Sequence, residues 1–404
     1  MKNKYLFLLA VIFLPGILQS QMSSKSESVF NSEQYTISNT DIPDWKNFVK
    51  NVRITANNKV DHVTIVHLGD SHIQGGYFPD RFRELLNCDF GISGRGWVFP
   101  YSYAKTNGPE DVKFRTKSRW TGVKYNHLSK GKRAHISGYH LTTSDSVIRF
   151  TLKLKLKSDQ LFPFNELHIY HNKNNLLFTD SCKATSITEK NFEDFSITRI
   201  VFQELLDSVG FSFSVKDSVK SDFSLMGINL VSSKPGIIYH SIGVNGASFD
   251  AFNRSINYRS ILRQLIPDLI IVSLGTNDAY VPHLDSIRFK QLVVNLIDSI
   301  QILLPGVCIL LTTPGDHLKN RKFVNPNLNM VRDVIISTAI QKNCLYWDFL
   351  AVMGNIGSAK RWKTKQLMYT DMIHLSQTGY VLQGELFFDA FVKAINETTM
   401  HGQD

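Results

Sequence analysis

The sequence predicts an α/β protein in which a parallel sheet lies between two layers of helices and an antiparallel β-sandwich is inserted into the chain. Strand-like apolar runs alternate with amphipathic helical stretches over residues 62–87 and again over 236–395, which is the pattern of a parallel sheet covered on both faces. Residues 100–234 nearly lack helical periodicity and carry short alternating segments between turn-forming residues, which is typical of an antiparallel sandwich. We therefore expect the two α/β stretches to be halves of one sheet.

The N-terminal stretch predicts an exported protein. Two lysines precede an apolar run over residues 5–18 that is interrupted by Pro15 and Gly16, which is typical of a secretory signal peptide. The run is short for a membrane span, so we expect no span after cleavage. We assign residues 1–20 to the signal peptide and residues 21–44, which are polar and Ser-rich, to a flexible lead-in. The expected location is the periplasm or the outside of the cell.

The first α/β stretch places a serine between a strand and a helix. After a short helix over residues 45–52, His62–Leu68 is an apolar, β-branched run that ends at the turn Gly69-Asp70-Ser71, and Tyr77–Leu86 has apolar positions at helical spacing. Chemistry in α/β sheets occurs at such a strand end, beside a helix N-terminus. Ser71 is therefore a candidate nucleophile, and the alternative for this serine taken alone is that it only caps the helix.

Residues 100–234 are predicted to form the inserted sandwich, which divides the α/β domain into residues 45–99 and 235–398. Five segments alternate apolar and polar residues in the manner of strands: Val147–Leu156, Glu166–Tyr170, Phe195–Phe202, Phe211–Val215 and Phe223–Val231. Four aromatic residues in or beside the insert could stack on sugar rings, although core packing explains any one of them equally well: Trp97, Tyr101, Tyr103 and Trp120.

The second α/β stretch continues the alternation to the C-terminus. Its predicted strands are Ile237–Ile242, Asp268–Leu274, Val307–Leu311 and Cys344–Trp347. Its predicted helices are one that ends at Leu265, followed by Leu284–Leu304, Asn327–Ile340 and Ser376–Ile395. Polar motifs follow the first two of these strands, and another precedes the last helix.

These motifs supply the groups that an activated serine needs. His374 can accept the proton of Ser71, and Asp371 can orient the imidazole and stabilise its protonated form. The N–H groups of Ser71 and Gly246 and the side-chain amide of Asn277 can stabilise an oxyanion. We expect these groups to meet at one edge of the sheet, because the carboxyl ends of parallel strands lie together.

Several neighbouring residues leave alternatives open. Gly243 competes with Gly246 for the oxyanion role, and Gly246 is preferred because it lies nearer the following helix. Asp278 could contact substrate, but capping the following segment explains it more simply. His72 could contact substrate or fill space beside the nucleophile, and Asp70 is a further candidate for a substrate contact.

The order of these motifs resembles the SGNH/GDSL hydrolase superfamily. The carriers of the resemblance are Gly69-Asp70-Ser71, the glycine at 246, Gly275-Thr276-Asn277-Asp278 and Asp371-Met372-Ile373-His374. The resemblance implies a three-layer, flavodoxin-like sheet with Ser71 as nucleophile, His374 as base, Asp371 as its orienting acid, and Gly246 and Asn277 as oxyanion donors. His72 departs from the usual family pattern, which has leucine there.

A narrower resemblance concerns the inserted domain. Gly-Asp-Ser-His followed by a β insertion is similar to bacterial peptidoglycan O-acetylesterases, in which the inserted module resembles a carbohydrate-binding domain. The resemblance implies an exported serine esterase that removes O-acetyl groups from a cell-wall or extracellular polysaccharide, with peptidoglycan as the expected substrate. The alternatives are an O-acyltransferase to glycan hydroxyls, a lipase or thioesterase, and a non-catalytic glycan-binding module.

Composition restricts the partners. The 404 residues carry 45 Lys and Arg against 35 Asp and Glu, a formal charge of +10. This charge suits an anionic neighbour such as a cell-wall polymer, a phospholipid surface or nucleic acid, and does not choose among them. No basic run with interleaved aromatic residues stands out, so we expect no nucleic-acid partner. The four cysteines are scattered and no His/Cys cluster has metal-ligand spacing, so we expect neither a metal nor another cofactor. The oligomeric state and any cysteine pairing stay open.

Overall fold

A computed structural model of the chain describes residues 30–31, 35–58, 62–91, 93–129, 134–155, 162–172, 176–180, 184–215 and 222–399. The predicted signal peptide and much of the predicted lead-in lie outside the described residues. Within those ranges, no helix is long and apolar enough to cross a membrane.

The chain before the insert forms the first part of the α/β domain. Its elements are β1 (Ile37–Ser38), α1 (Pro43–Asn58), β2 (His62–Gly69), α2 (Ser71–Gln74) and α3 (Tyr77–Phe90). The expected flexible lead-in is wrong for its last residues, because β1 pairs with a strand of the main sheet and α1 begins at Pro43.

In its described residues, the insert contains mainly antiparallel strands and two short 3₁₀ turns. The strands are β3 (Gly96–Val98), β4 (Val112–Thr116), β5 (Thr121–Lys124), β6 (Ala134–His135), β7 (Tyr139–Thr143), β8 (Val147–Leu154), β9 (Phe164–His171), β10 (Leu176–Asp180), β11 (Ala184–Asn191), β12 (Ser196–Leu206), β13 (Ser208–Val215) and β14 (Phe223–Val231). The 3₁₀ turns are Tyr101–Ala104 and Tyr125–His127. Because β3 pairs with β14, the antiparallel part begins before the expected boundary at residue 100.

The chain after the insert completes the α/β domain. Its strands are β15 (Gly236–Gly243), β16 (Ile256–Asn257), β17 (Leu269–Ser273), β18 (Cys308–Thr312), β19 (Leu318–Lys319), β20 (Phe323–Val324) and β21 (Leu345–Trp347). Its helices are α4 (Phe249–Arg254), α5 (Arg259–Leu265), α6 (Thr276–Tyr280), α7 (Ser286–Leu303), α8 (Leu328–Gln341), α9 (Phe349–Met353), α10 (Ser358–Thr364) and α11 (Gln377–Glu397).

The main sheet has the strand order β1-β21-β18-β17-β2-β15. All neighbouring strands are parallel except β1, which pairs antiparallel with β21 at the edge. The five parallel strands follow the flavodoxin order. The direction in which successive strands are added to the sheet reverses between the first strand, β2, and the third, β17. A ligand site is expected at the carboxyl ends of β2 and β17, because the loops leave in opposite directions there.

Side chains that alternate along β2 pack against the two helical layers on opposite faces of the sheet. Val63 and Ile65 belong to a core with α1, α3 and α11, whereas Val66 and Leu68 belong to a second core with α4, α5, α7 and α8. His67 is a core histidine: it is fully buried, and its ring nitrogens lie 2.6 Å from Tyr239 Oη and 2.6 Å from Ser273 Oγ. The three-layer α/β/α arrangement predicted from the sequence is confirmed.

The insert packs a four-stranded sheet (β10-β13-β8-β4) against a seven-stranded one (β11-β12-β9-β14-β7-β5, with β3 beside β14). Apolar residues of both sheets, such as Phe150 and Ile169, share one core, which makes this part a sandwich. The insert also reaches the α/β domain through β6, which pairs in parallel with β16. That pairing interrupts the single helix expected before Leu265 and divides it into α4 and α5.

Candidate active site

Ser71 lies at the carboxyl end of β2 as the first residue of α2. Asp70 caps this helix, because its carboxylate accepts a hydrogen bond of 3.0 Å from the His72 N–H. Asp70 is 1% exposed, and burial raises the pKa of its carboxyl group to about 7. Asp70 therefore holds the turn that presents Ser71, and a contact of Asp70 with substrate stays a prediction.

The base and its orienting acid come from the segment before α11. Ser71 Oγ lies 2.8 Å from His374 Nε2, and His374 Nδ1 lies 2.7 Å from Asp371 Oδ2. The other carboxylate oxygen of Asp371 accepts backbone N–H groups of Ile373 at 2.9 Å and His374 at 3.0 Å. The carboxylate thus fixes both the imidazole and the backbone that carries it.

The electrostatics of Asp371 favour the ionised form. Partial burial raises the pKa of its carboxyl group, but hydrogen bonds from the Ile373 and His374 N–H groups and from the imidazole outweigh burial and leave the pKa below its usual value. An ionised Asp371 keeps the proton on His374 Nδ1 and leaves Nε2 free to accept the proton of Ser71.

The expected oxyanion donors lie on two neighbouring loops. Asn277 Nδ2 donates to the carbonyl of Ala247 at 2.9 Å, and its contact with Asp70 Oδ2 is long, at 3.4 Å. Gly246 precedes Ala247, is exposed, and has φ of +73°, a conformation that favours glycine. The N–H of Ser71, in the first turn of α2, has no acceptor within the helix. The structure therefore brings both loops to the strand end that carries Ser71.

Gly243 and Asp278 have structural roles here. A Cβ at Gly243 would lie 2.0 Å from the Gln74 backbone nitrogen, so this glycine allows β15 and α2 to approach closely. The Asp278 carboxylate is buried and accepts the Phe249 N–H at 3.3 Å, and burial raises its pKa to about 7. Asp278 therefore binds the start of α4, which precedes it in the chain, rather than capping the segment that follows it, and a substrate contact of Asp278 stays a prediction.

The ring of His72 packs beside the ring of the base, His374. His72 Nδ1 lies 2.8 Å from Tyr380 Oη, and His72 Nε2 is buried. Its ring is tilted by 32° against the His374 ring, with centroids 5.1 Å apart. Of the two interpretations of His72, filling space beside the catalytic pair therefore fits better than a substrate contact. Burial lowers the pKa of His72 well below its usual value.

A hydrogen-bond network beside the nucleophile was missed by the sequence analysis. Gln74 Oε1 accepts the Asn245 N–H at 2.6 Å, and Gln74 Nε2 donates to the Asn107 carbonyl at 2.7 Å. Asn245 Nδ2 donates to Thr106 Oγ1 at 3.1 Å. The network joins α2, the loop after β15 and the insert. Its residues are far apart in the chain, so no local sequence pattern could predict these contacts.

The arrangement is suited to acyl transfer by a serine. Among the described residues, no group of three or more His, Cys, Asp and Glu side chains is placed to hold a metal ion. A polarised hydroxyl, a neutral acceptor nitrogen, an ionised orienting carboxylate and nearby amide donors are the groups that attack on an ester carbonyl requires.

Comparison with known proteins agrees with this chemistry. The sequence model of the GDSL-like Lipase/Acylhydrolase family matches residues 225–382, which include Gly246, Asn277, Asp371 and His374 but begin after Ser71. A search of curated proteins finds no match to the sequence.

Solved structures that are similar to parts or all of this chain include three esterases. A peptidoglycan O-acetylesterase is similar over 92% of this chain and 100% of its own, with a TM-score of 0.71 and 20% identity. An acetyl xylan esterase is similar over 38% of this chain and 81% of its own, with a TM-score of 0.32 and 19% identity. A family two carbohydrate esterase from Cellvibrio japonicus is similar over 70% and 98%, with a TM-score of 0.31 and 9% identity.

The first of these similarities shows a shared fold over nearly the whole chain, insert included. Residues 225–382 match the GDSL-like lipase/acylhydrolase family model, and this match, over the part of the chain that carries His374, supports a carboxylic ester hydrolase.

Proposed function

We propose that this protein is an exported serine esterase that removes O-acetyl groups from a cell-wall or other extracellular polysaccharide, with peptidoglycan as its substrate. The observation that carries the proposal is the continuous contact from Ser71 Oγ through His374 to the Asp371 carboxylate, at 2.8 Å and 2.7 Å. It lies at the strand ends where a flavodoxin-like sheet binds its ligands.

The reaction proceeds through an acetyl-enzyme. Ser71 Oγ attacks the acetyl carbonyl carbon while His374 Nε2 takes the hydroxyl proton, and the carbonyl oxygen becomes an oxyanion facing the donors of Ser71, Gly246 and Asn277. The intermediate collapses, and His374 returns the proton to the departing sugar oxygen. Water then attacks the acetyl group with His374 as base, and acetate leaves with Ser71 regenerated.

The substrate assignment is supported by three features. The structure of a peptidoglycan O-acetylesterase is similar over 92% of this chain and over all of its own. The formal charge of +10 suits an anionic wall polymer. The leader-like residues 1–20 support export to the side of the membrane where such polymers lie.

The test is acetate release from O-acetylated peptidoglycan and from acetylated xylan by the wild type and by Ser71→Ala. We expect release that depends on Ser71 and is faster from peptidoglycan. Exposed Ser102→Ala is the matched control for the substitution. Ser71-dependent turnover of a small acetyl ester without release from either polymer would exclude the polysaccharide substrate, and no Ser71-dependent turnover at all would exclude the esterase mechanism.

Glycan binding by the insert is best tested with point variants rather than by truncation. Removing residues 100–234 would also remove Thr106 and Asn107, which bind Asn245 and Gln74 beside the nucleophile. A truncated chain that lost activity would therefore not reveal whether the insert binds glycan.

A further inference from the structure

The insert touches the loop that carries the expected oxyanion glycine. Tyr125, directly after β5, donates a hydrogen bond from its hydroxyl to the carbonyl of Gly246 at 2.8 Å. The preceding residue, Lys124, places its ammonium nitrogen 3.5 Å from the position that a Cβ on Gly246 would occupy. A cation from the insert therefore lies beside the glycine that is expected to donate to the oxyanion.

The charge of Lys124 is not used by a structural partner. No carboxylate forms an ion pair with Lys124 in the part of the chain that the structure describes. Its ammonium lies 5.6 Å from the centroid of the Tyr125 ring, which holds the side chain over that ring. Partial burial lowers its pKa, as expected for a cation placed against protein without a compensating carboxylate.

The position suits a charge that appears only during the reaction. As the Ser71 Oγ–carbon bond forms, the carbonyl π electrons move to oxygen, and the proton of Ser71 goes to His374. A fixed cation near that oxygen stabilises the transition state more than the neutral ester, and such differential stabilisation raises kcat. Lys124 keeps its proton throughout, so no additional reactant is needed.

We propose that Lys124 is a catalytic residue contributed by the inserted domain, and that its ammonium contacts the oxyanion that forms on the acetyl carbonyl beside Gly246. Tyr125 is then a positioning residue, because its hydrogen bond holds the Gly246 loop. This inference rests on the proposed serine-esterase function and deepens it: the insert completes the catalytic site in addition to any role in binding polymer.

The test compares Lys124→Gln, Lys124→Arg and Tyr125→Phe with the wild type on a small neutral acetyl ester. We expect Lys124→Gln to lower kcat about 10²- to 10³-fold, the range for losing one oxyanion contact, with KM nearly unchanged. Lys124→Arg keeps the charge and should restore part of kcat. Lys117→Gln, an exposed lysine of the same domain, is the matched control and should behave as the wild type. Melting temperatures check that each variant is folded.

The outcomes separate this inference from the proposed function. A Lys124→Gln variant with wild-type kcat on the neutral ester overturns the inference, and so does an effect confined to KM on peptidoglycan, which would make Lys124 a polymer contact. If Ser71→Ala itself retained turnover, the esterase mechanism would be wrong instead. Loss of kcat with rescue by arginine supports the catalytic role.

Discussion

Ser71 Oγ and His374 Nε2 lie 2.8 Å apart although 303 positions separate the two residues in the chain. The contact joins the first strand of the sheet to the segment before its last helix, so the site exists only when both halves of the α/β domain are assembled around the insert. Such a pair acts as one unit, because the hydroxyl attacks the ester carbonyl only when the imidazole takes its proton.

The first prediction is therefore strong non-additivity between these two residues. Ser71→Ala and His374→Ala should each lower kcat by about 10⁶-fold, and the double variant should be no slower than either single variant. The measurement is turnover of a small acetyl ester with protein freed of contaminating esterase. If the two losses multiplied, Ser71 and His374 would act in separate steps.

The second prediction concerns the tautomer of His374. In Asp371→Asn, the amide can still contact the imidazole, but it no longer requires a proton on Nδ1, so the ring can present a protonated Nε2 to Ser71. We expect kcat to fall by about 10⁴-fold with little change in KM. Exposed Asp333→Asn is the control, and a KM effect of similar size would instead place Asp371 in substrate binding.

Part of this site could be predicted from sequence because local rules determine it. The buried runs of β2 and β17 are followed at once by polar turns, and parallel strands must bring those turns to one edge. Other features depend on contacts between distant segments. The strand pair β6–β16, which breaks the helix expected before Leu265, and the contact of His72 with Tyr380 have no local pattern, because each partner is chosen by the tertiary fold.

The third prediction tests the oxyanion role of Asn277. Removing its amide in Asn277→Ala should lower kcat about 10²- to 10³-fold. Asn277→Asp should be at least as slow, because a carboxylate would face two acceptors, the Ala247 carbonyl at 2.9 Å and Asp70 Oδ2 at 3.4 Å. Steady-state kinetics on a neutral ester are the measurement. Wild-type kcat in Asn277→Ala would remove this residue from the oxyanion site.

The fourth prediction separates the two glycines of the loop after β15. In Gly243→Ala, the new methyl would collide with the backbone of α2, 2.0 Å from the Gln74 nitrogen, so we expect loss of both stability and activity. In Gly246→Ala, the nearest atom is Lys124 Nζ at 3.5 Å, and only the left-handed φ costs about 1–2 kcal/mol. Melting temperatures of the two variants give the comparison. The opposite order of stability would contradict the close approach of β15 to α2.

The fifth prediction concerns acid stability of the insert. Burial raises the pKa of Glu166 on β9, but hydrogen bonds and charges from His168 and Arg199 outweigh it and lower the pKa from 4.5 to about 2. Because the folded-state pKa lies below the unfolded value, this carboxylate stabilises the fold above about pH 4.5, and the contribution is lost as the pH falls toward 2. Glu166→Gln should therefore melt at a lower temperature than the wild type at pH 7, and the difference should shrink on acidification through that window. Exposed Glu193→Gln is the control. A difference that stayed constant with pH would mean that Glu166 contributes packing rather than charge.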